Sequence, residues 1–222
     1  MLKIIVFSLL AFFPATVPLK KDPVRTWETA YDSFGLSGSG LSREAFFYAW
    51  QGFSRIRLTN PVVAIADFSQ SSARKRFYIL DLAAHKLLYQ TYVAHGIHSG
   101  AEYATRFSNQ ESSNQSSLGF YRTLTTYQGK HGLSLKLEGL EKGINDLAYQ
   151  RAIVLHGADY VSEAFIRQTG RLGRSFGCPA VSMPEHKKLI SLLKGGAGLF
   201  LYAPSPQYLS HSLLLSQPYT SG

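Results

Sequence analysis

Two side chains in this sequence could together make and break an acyl bond: the thiol of Cys178 and the imidazole of His156, 22 positions apart. A thiol attacks a carbonyl as its thiolate, so it needs a neighbouring base that takes its proton and later returns it to a leaving amine. In the run Val154-Leu155-His156-Gly157-Ala158-Asp159, His156 follows an apolar strand that can aim its ring. Cys178 lies in Arg171-Leu172-Gly173-Arg174-Ser175-Phe176-Gly177-Cys178-Pro179-Ala180, a glycine-rich loop whose backbone amides can face an oxyanion. The 22 positions leave room for a short helix that brings the chain back to the same end of a sheet. Cys178 is the lone cysteine of the chain, so no intramolecular disulfide can form.

Other chemistries fit less well. Papain-like enzymes place the cysteine before the histidine, the reverse of the order here. Sortase-type enzymes share this order but need a downstream arginine, and none follows Cys178. Seven histidines invite a metal reading, yet His95 and His98 are the close pair and no HExxH helix is present. No metal or organic cofactor is required by thiol chemistry.

The elements that must position these groups follow from periodicity. Trp27, Ala30, Tyr31 and Phe34, then Ala45, Phe46, Ala49, Trp50 and Phe53, recur at helical spacing and predict helices over 22–36 and 41–58. Ser42 is the expected N-cap of the second, with Glu44 in its first turn. From Pro61 the pattern shortens to strands at 62–68, 76–81, 86–94, 119–127, 133–137, 152–155 and 199–202. Helices are expected at 160–169 and 185–193, the latter opened by Pro184. These runs predict an α+β, β-dominated fold with a mostly antiparallel sheet; residues beyond about 205 show no pattern and read as a loosely attached tail.

Composition bounds the rest. With 222 residues and 45% hydrophobic content, the chain can bury one sizeable core. Net charge is +9, an attraction toward anionic partners, but the basic residues are scattered and no nucleic-acid-binding motif accompanies them. The tight cluster Arg74-Lys75-Arg76 reads as a solvated loop. Lys3 followed by the apolar run Ile4 to Phe13 predicts a signal peptide over about 1–20, too short to span a bilayer. The expectation is an exported protein of the periplasm or envelope, without a stable membrane span after processing.

His156-Gly157 followed by Ser175-Phe176-Gly177-Cys178 resembles the histidine-glycine and Ser/Thr-His-Gly-Cys motifs of the YkuD-type L,D-transpeptidases. The resemblance extends through Val93-Ala94-His95-Gly96, Ser116-Ser117-Leu118-Gly119, Gly129 to Ser134 and Gly170 to Arg174, covering roughly 61–202. It implies a mixed β-sandwich or barrel with flanking helices, a 61–205 catalytic domain behind a 21–60 helical segment, and a 206–222 tail. It also implies that Cys178 takes the acyl group of a peptidoglycan tetrapeptide stem and passes it to an amine, giving a 3-3 crosslink, or to water. His156 would be the base, the Gly157 carbonyl its orienter, and the Gly177 and Cys178 amides the oxyanion hole. Arg174, Ser175, His95, His131, Ser117 and Tyr121 are the candidate substrate contacts, stem peptides the partner, and carbapenems candidate inhibitors. Phe176 departs from the histidine usual in the family. The alternative is a catalytically inactive peptidoglycan-binding envelope protein on the same fold.

Overall fold

The computed structural model describes residues 26–220. The expected signal peptide lies outside them. Two short helices lead: α1 (Trp27–Ser33), capped by Thr26, and α2 (Arg43–Phe53). Ser42 caps α2 as expected, its side chain accepting from the Ala45 N–H at 3.1 Å. Between them Gly35, Gly38 and Gly40 all carry positive φ, which turns the chain tightly enough to lay α2 on the sheet.

Eight strands follow: β1 (Val62–Asp67), β2 (Phe77–Asp81), β3 (Lys86–Thr91), β4 (Gly119–Gly129), β5 (Gly132–Gly139), β6 (Val154–Ala158), β7 (Ala180–Ser182) and β8 (Gly198–Tyr202). α3 (Glu163–Thr169) joins β6 to β7, α4 (His186–Leu193) joins β7 to β8, and α5 (Pro206–His211) follows β8. The strands form one sheet in the order β3-β2-β1-β8-β4-β5-β6-β7. Pairing is antiparallel except at β1·β8 and β6·β7, which are parallel and need the crossovers that α3 and its flanking loops supply for the second pair.

The two sheet ends approach one another. Beyond β3 the chain bridges Ala94 to Ala180 of β7 and Gly96 to Ser175 of the cysteine loop, bending the sheet toward a barrel. Every residue of β1 is buried, as a strand covered on both faces must be. On one face Phe46 and Phe53 of α2 reach β1 and β8 so closely that a Cβ on Gly198 would lie 2.3 Å from the Phe53 ring. Burying such aromatic side chains stabilises by roughly 1.5–3 kcal/mol each, which is what fastens the helical pair to the sheet.

Four sequence expectations need correction. His156 lies inside β6 rather than just past its end, because the strand starts at Val154, two residues later than its apolar run. β7 escaped notice because three residues carry too little periodicity to register. Arg76 is fully buried, not solvated. The tail is held: α5 is capped by Ser205, Tyr208 donates to Glu141 at 3.2 Å, and the Tyr219 N–H donates to the Tyr48 hydroxyl at 3.1 Å.

Candidate active site

The register of two parallel strands runs the cysteine loop alongside the histidine strand. His156 of β6 pairs with Ala180 of β7, and Cys178 precedes Ala180 by two residues. Extending that register sets Cys178 level with Val154, about 7 Å along the strand from His156 at the usual rise per residue. α3 makes the return, opened by Ser162 and ended by Gly170 in the left-handed conformation.

The His156 ring is 3% exposed. Its Nδ1 lies 2.9 Å from the Gly157 carbonyl oxygen. A carbonyl can only accept, so Nδ1 carries the proton and Nε2 is left as the bare, basic nitrogen. Burial lowers the pKa of the imidazole; the Gly157 carbonyl opposes this, and His131, Lys130 and His186 add to the lowering. The ring is therefore neutral and able to accept a proton. Gly157 is needed at its place: a Cβ there would lie 2.7 Å from the Met183 sulfur and 2.8 Å from the His186 ring. His186, buried at the start of α4 and fixed by Nδ1 to the Met183 carbonyl at 2.6 Å, went unnoticed in the sequence because nothing local marks it as a floor to this site.

At rest the thiol does not hydrogen-bond the imidazole. The Cys178 sulfur lies 3.8 Å from the Ala152 carbonyl, its acceptor, and is faced by the Val154 N–H. Burial raises the pKa of the thiol, against the lowering influence of the Val154 N–H, Arg151 and Lys130. Both shifts favour the uncharged forms, thiol and imidazole.

The cysteine turn is stapled from within. The Ser175 hydroxyl donates to the Cys178 carbonyl at 2.6 Å and accepts the Gly177 N–H at 3.0 Å. Ser175 is thus a loop fastener rather than a substrate contact, and the Gly177 amide expected in the oxyanion hole is engaged by it. Gly177 sits at φ 122°, where a Cβ would approach the Gln115 carbonyl oxygen to 2.8 Å. Phe176 is 71% exposed beside this turn.

Three further expected substrate contacts are corrected. His95 is fully buried, taking a 2.7 Å hydrogen bond from Arg76 on Nδ1, and its backbone carbonyl accepts the Ser175 N–H at 3.0 Å. Tyr121 is also fully buried, donating to the Ser117 carbonyl at 2.8 Å, and Ser117 is sealed with it. His95 and Tyr121 do not reach solvent, and Ser117 is 2% exposed. Periodicity could not reveal this, since burial depends on segments far away in the chain. Arg174 keeps partial exposure while donating to the Ile97 and Gly100 carbonyls at 3.4 and 3.1 Å. His131, exposed at the tip of the β4–β5 hairpin, stacks on His156 with ring centroids 4.3 Å apart.

A sequence profile of the L,D-transpeptidase catalytic domain matches residues 37–202. Among curated proteins none matches the sequence. Similar solved structures include an L,D-transpeptidase from Mycobacterium smegmatis, at 12% identity and TM-score 0.40, covering 64% of this chain and 59% of the other. An L,D-transpeptidase from Stackebrandtia nassauensis has 15% identity and TM-score 0.37, with 81% and 77% covered. An LD transpeptidase in complex with imipenem has 9% identity and TM-score 0.39, with 64% and 59% covered. The chain thus spans about 59% of the length of the first of these structures.

Proposed function

Since this chain belongs to the L,D-transpeptidase catalytic-domain family, we propose that it is a cysteine transpeptidase of bacterial wall stem peptides, working through a thioester on Cys178. The observation that supports the reading is the parallel register of β6 and β7, which runs the cysteine loop alongside the strand of an Nε2-basic imidazole, with Cys178 about 7 Å along from His156.

The steps follow from that arrangement. The Cys178 side chain rotates away from the Ala152 carbonyl toward His156, whose Nε2 takes the thiol proton as sulfur bonds to the stem carbonyl carbon. The tetrahedral oxyanion is held by the Cys178 N–H, joined by the Gly177 N–H when the Ser175 hydroxyl yields it. Collapse breaks the carbon–nitrogen bond, and His156 returns the proton to the departing amine of terminal D-alanine. An acceptor amine then attacks the thioester, losing its proton to His156 and restoring the thiol; a diaminopimelate side-chain amine gives a 3-3 crosslink and water gives a trimmed stem. A carbapenem offers a strained amide carbonyl to the same thiol and is an expected acylating inhibitor. The short apolar run near the N-terminus supports action outside the cytoplasm, in the periplasm or envelope.

The test is mass analysis of purified wall fragments incubated with the protein and with Cys178→Ala. Crosslinked or trimmed products and a stem-sized adduct on Cys178 are expected from the first and neither from the second. Full turnover by the variant refutes the mechanism, while no product from any donor favours an inactive wall-binding protein.

A further inference from the structure

Arg151 precedes β6 and takes no part in the mechanism above, yet its guanidinium is among the most heavily bonded groups near the site. Nη1 donates to the Ser108 carbonyl at 2.8 Å and the Ser117 hydroxyl at 3.1 Å; Nη2 donates to the Gln115 carbonyl at 2.7 Å and the Ser113 hydroxyl at 3.3 Å. Four bonds from one planar fork tie down both ends and the middle of the 108–117 loop. That loop has no regular secondary structure, so without them several of its polar groups would have to be held by solvent.

The same loop is bound to the nucleophile turn. The Ser116 hydroxyl donates to the Gly177 carbonyl at 3.1 Å, and the Gln115 carbonyl that accepts from Arg151 is also the atom closest to where a Gly177 Cβ would be. Arg151 Nη2 would lie 3.4 Å from that same Cβ. One residue on, the Ala152 carbonyl receives the thiol, and two further on the Val154 N–H faces it. The segment from Arg151 to Val154 thus meets both the loop and the sulfur.

All four hydrogen-bond acceptors of Arg151 are neutral oxygens, and no carboxylate pairs with it within 4 Å among the described residues. Its positive charge is therefore not cancelled locally. A fixed cation next to a partly desolvated sulfur favours the thiolate over the thiol.

We propose that Arg151 is a positioning residue of the site, fastening the 108–117 loop to the cysteine turn with its fork and supporting the Cys178 thiolate with its charge. The two contributions are separable because lysine keeps the charge but not the fork. The proposal rests on Cys178 being the nucleophile, but its test needs no acyl donor, so failure of one is distinguishable from failure of the other.

The experiment is the rate of iodoacetamide alkylation against pH for the full chain, Arg151→Met, Arg151→Lys and, as a control for net charge, Arg122→Met. The single cysteine makes the readout unambiguous. Arg151→Met is expected to alkylate about tenfold more slowly below the midpoint, equivalent to about one pH unit, with Arg151→Lys and Arg122→Met near the parent profile. Both Arg151 variants should show faster amide exchange over 108–117. A parent-like profile for Arg151→Met overturns the charge contribution; a Lys variant that titrates like Met reduces Arg151 to a structural fork. If Arg151→Met fails to fold, the Lys variant decides: the parent midpoint with a loosened loop supports the proposal, and a shifted midpoint or an unaltered loop overturns it.

Discussion

His131 lays its ring on that of His156, with centroids 4.3 Å apart and planes 23° from parallel. The first ring is exposed on a hairpin tip and the second is buried in β6, so the stack is a roof over the proposed base. Ser134 of the same hairpin arm lies directly across from His156, which sets the height of the roof.

His131→Ala should raise the pKa of His156, since it admits water to a ring whose pKa is lowered chiefly by burial and removes a neighbour that lowers it further. Because the base must be neutral to act, the acid limb of the kcat/KM profile is expected to move to higher pH. A limb that stays in place shows that the stack does not shield the base.

His95 makes the fold acid-sensitive. Burial lowers its pKa to about 3, helped by the charge of Arg76. In the unfolded chain it would titrate near 6.5. Above that value both states are neutral and the stability is whole; as pH falls from about 6.5 toward 3 the unfolded chain gains a proton that the folded one refuses, each unit costing about 1.4 kcal/mol. His95→Gln, which keeps a neutral acceptor for Arg76, should flatten the fall in Tm between pH 6.5 and 4.5. An unchanged slope assigns the acid sensitivity to other groups.

Gly177→Ala forces a side chain into φ 122° and against the Gln115 carbonyl. The expected cost is about 2–3 kcal/mol of stability, with loss of acylation beyond what the folded fraction explains. Urea midpoints together with the adduct yield per folded molecule measure both.

Ala152 holds a left-handed φ of 53° while its carbonyl receives the resting thiol. Ala152→Gly relieves the Cβ strain and keeps the carbonyl, so a gain of up to about 1 kcal/mol is expected, offset in part by the greater freedom of glycine in the unfolded chain. A lower urea midpoint would show that the backbone is not strained there.

Much of this molecule was legible in the order of its residues. Seven of eight strands were expected within about two residues at most of their ends, because alternation and apolar runs are local signals. The cap at Ser42 and the helix between His156 and Cys178 were equally readable. Roles of polar side chains were not. His95, Tyr121 and Ser117 sit in motif-like stretches and looked available to a ligand, but all three are buried, with Arg76 bonded to the first and Arg151 to the last from far along the chain. Arg151 carried no local mark at all, since its acceptors lie 34 to 43 positions away in the chain.

By itself the sequence determined the chemistry on offer, a single thiol and a histidine with a glycine carbonyl beside it, and the periodicities that make strands and helices. The tertiary structure alone decided that β7 lies parallel to β6 with Ala180 opposite His156, that the resting sulfur turns to Ala152, and which polar groups are sealed from water. The physical reason is range: hydrogen-bonded elements arise from neighbours a few residues apart, whereas strand partners, desolvation and local fields are set by whatever the completed fold packs against each group.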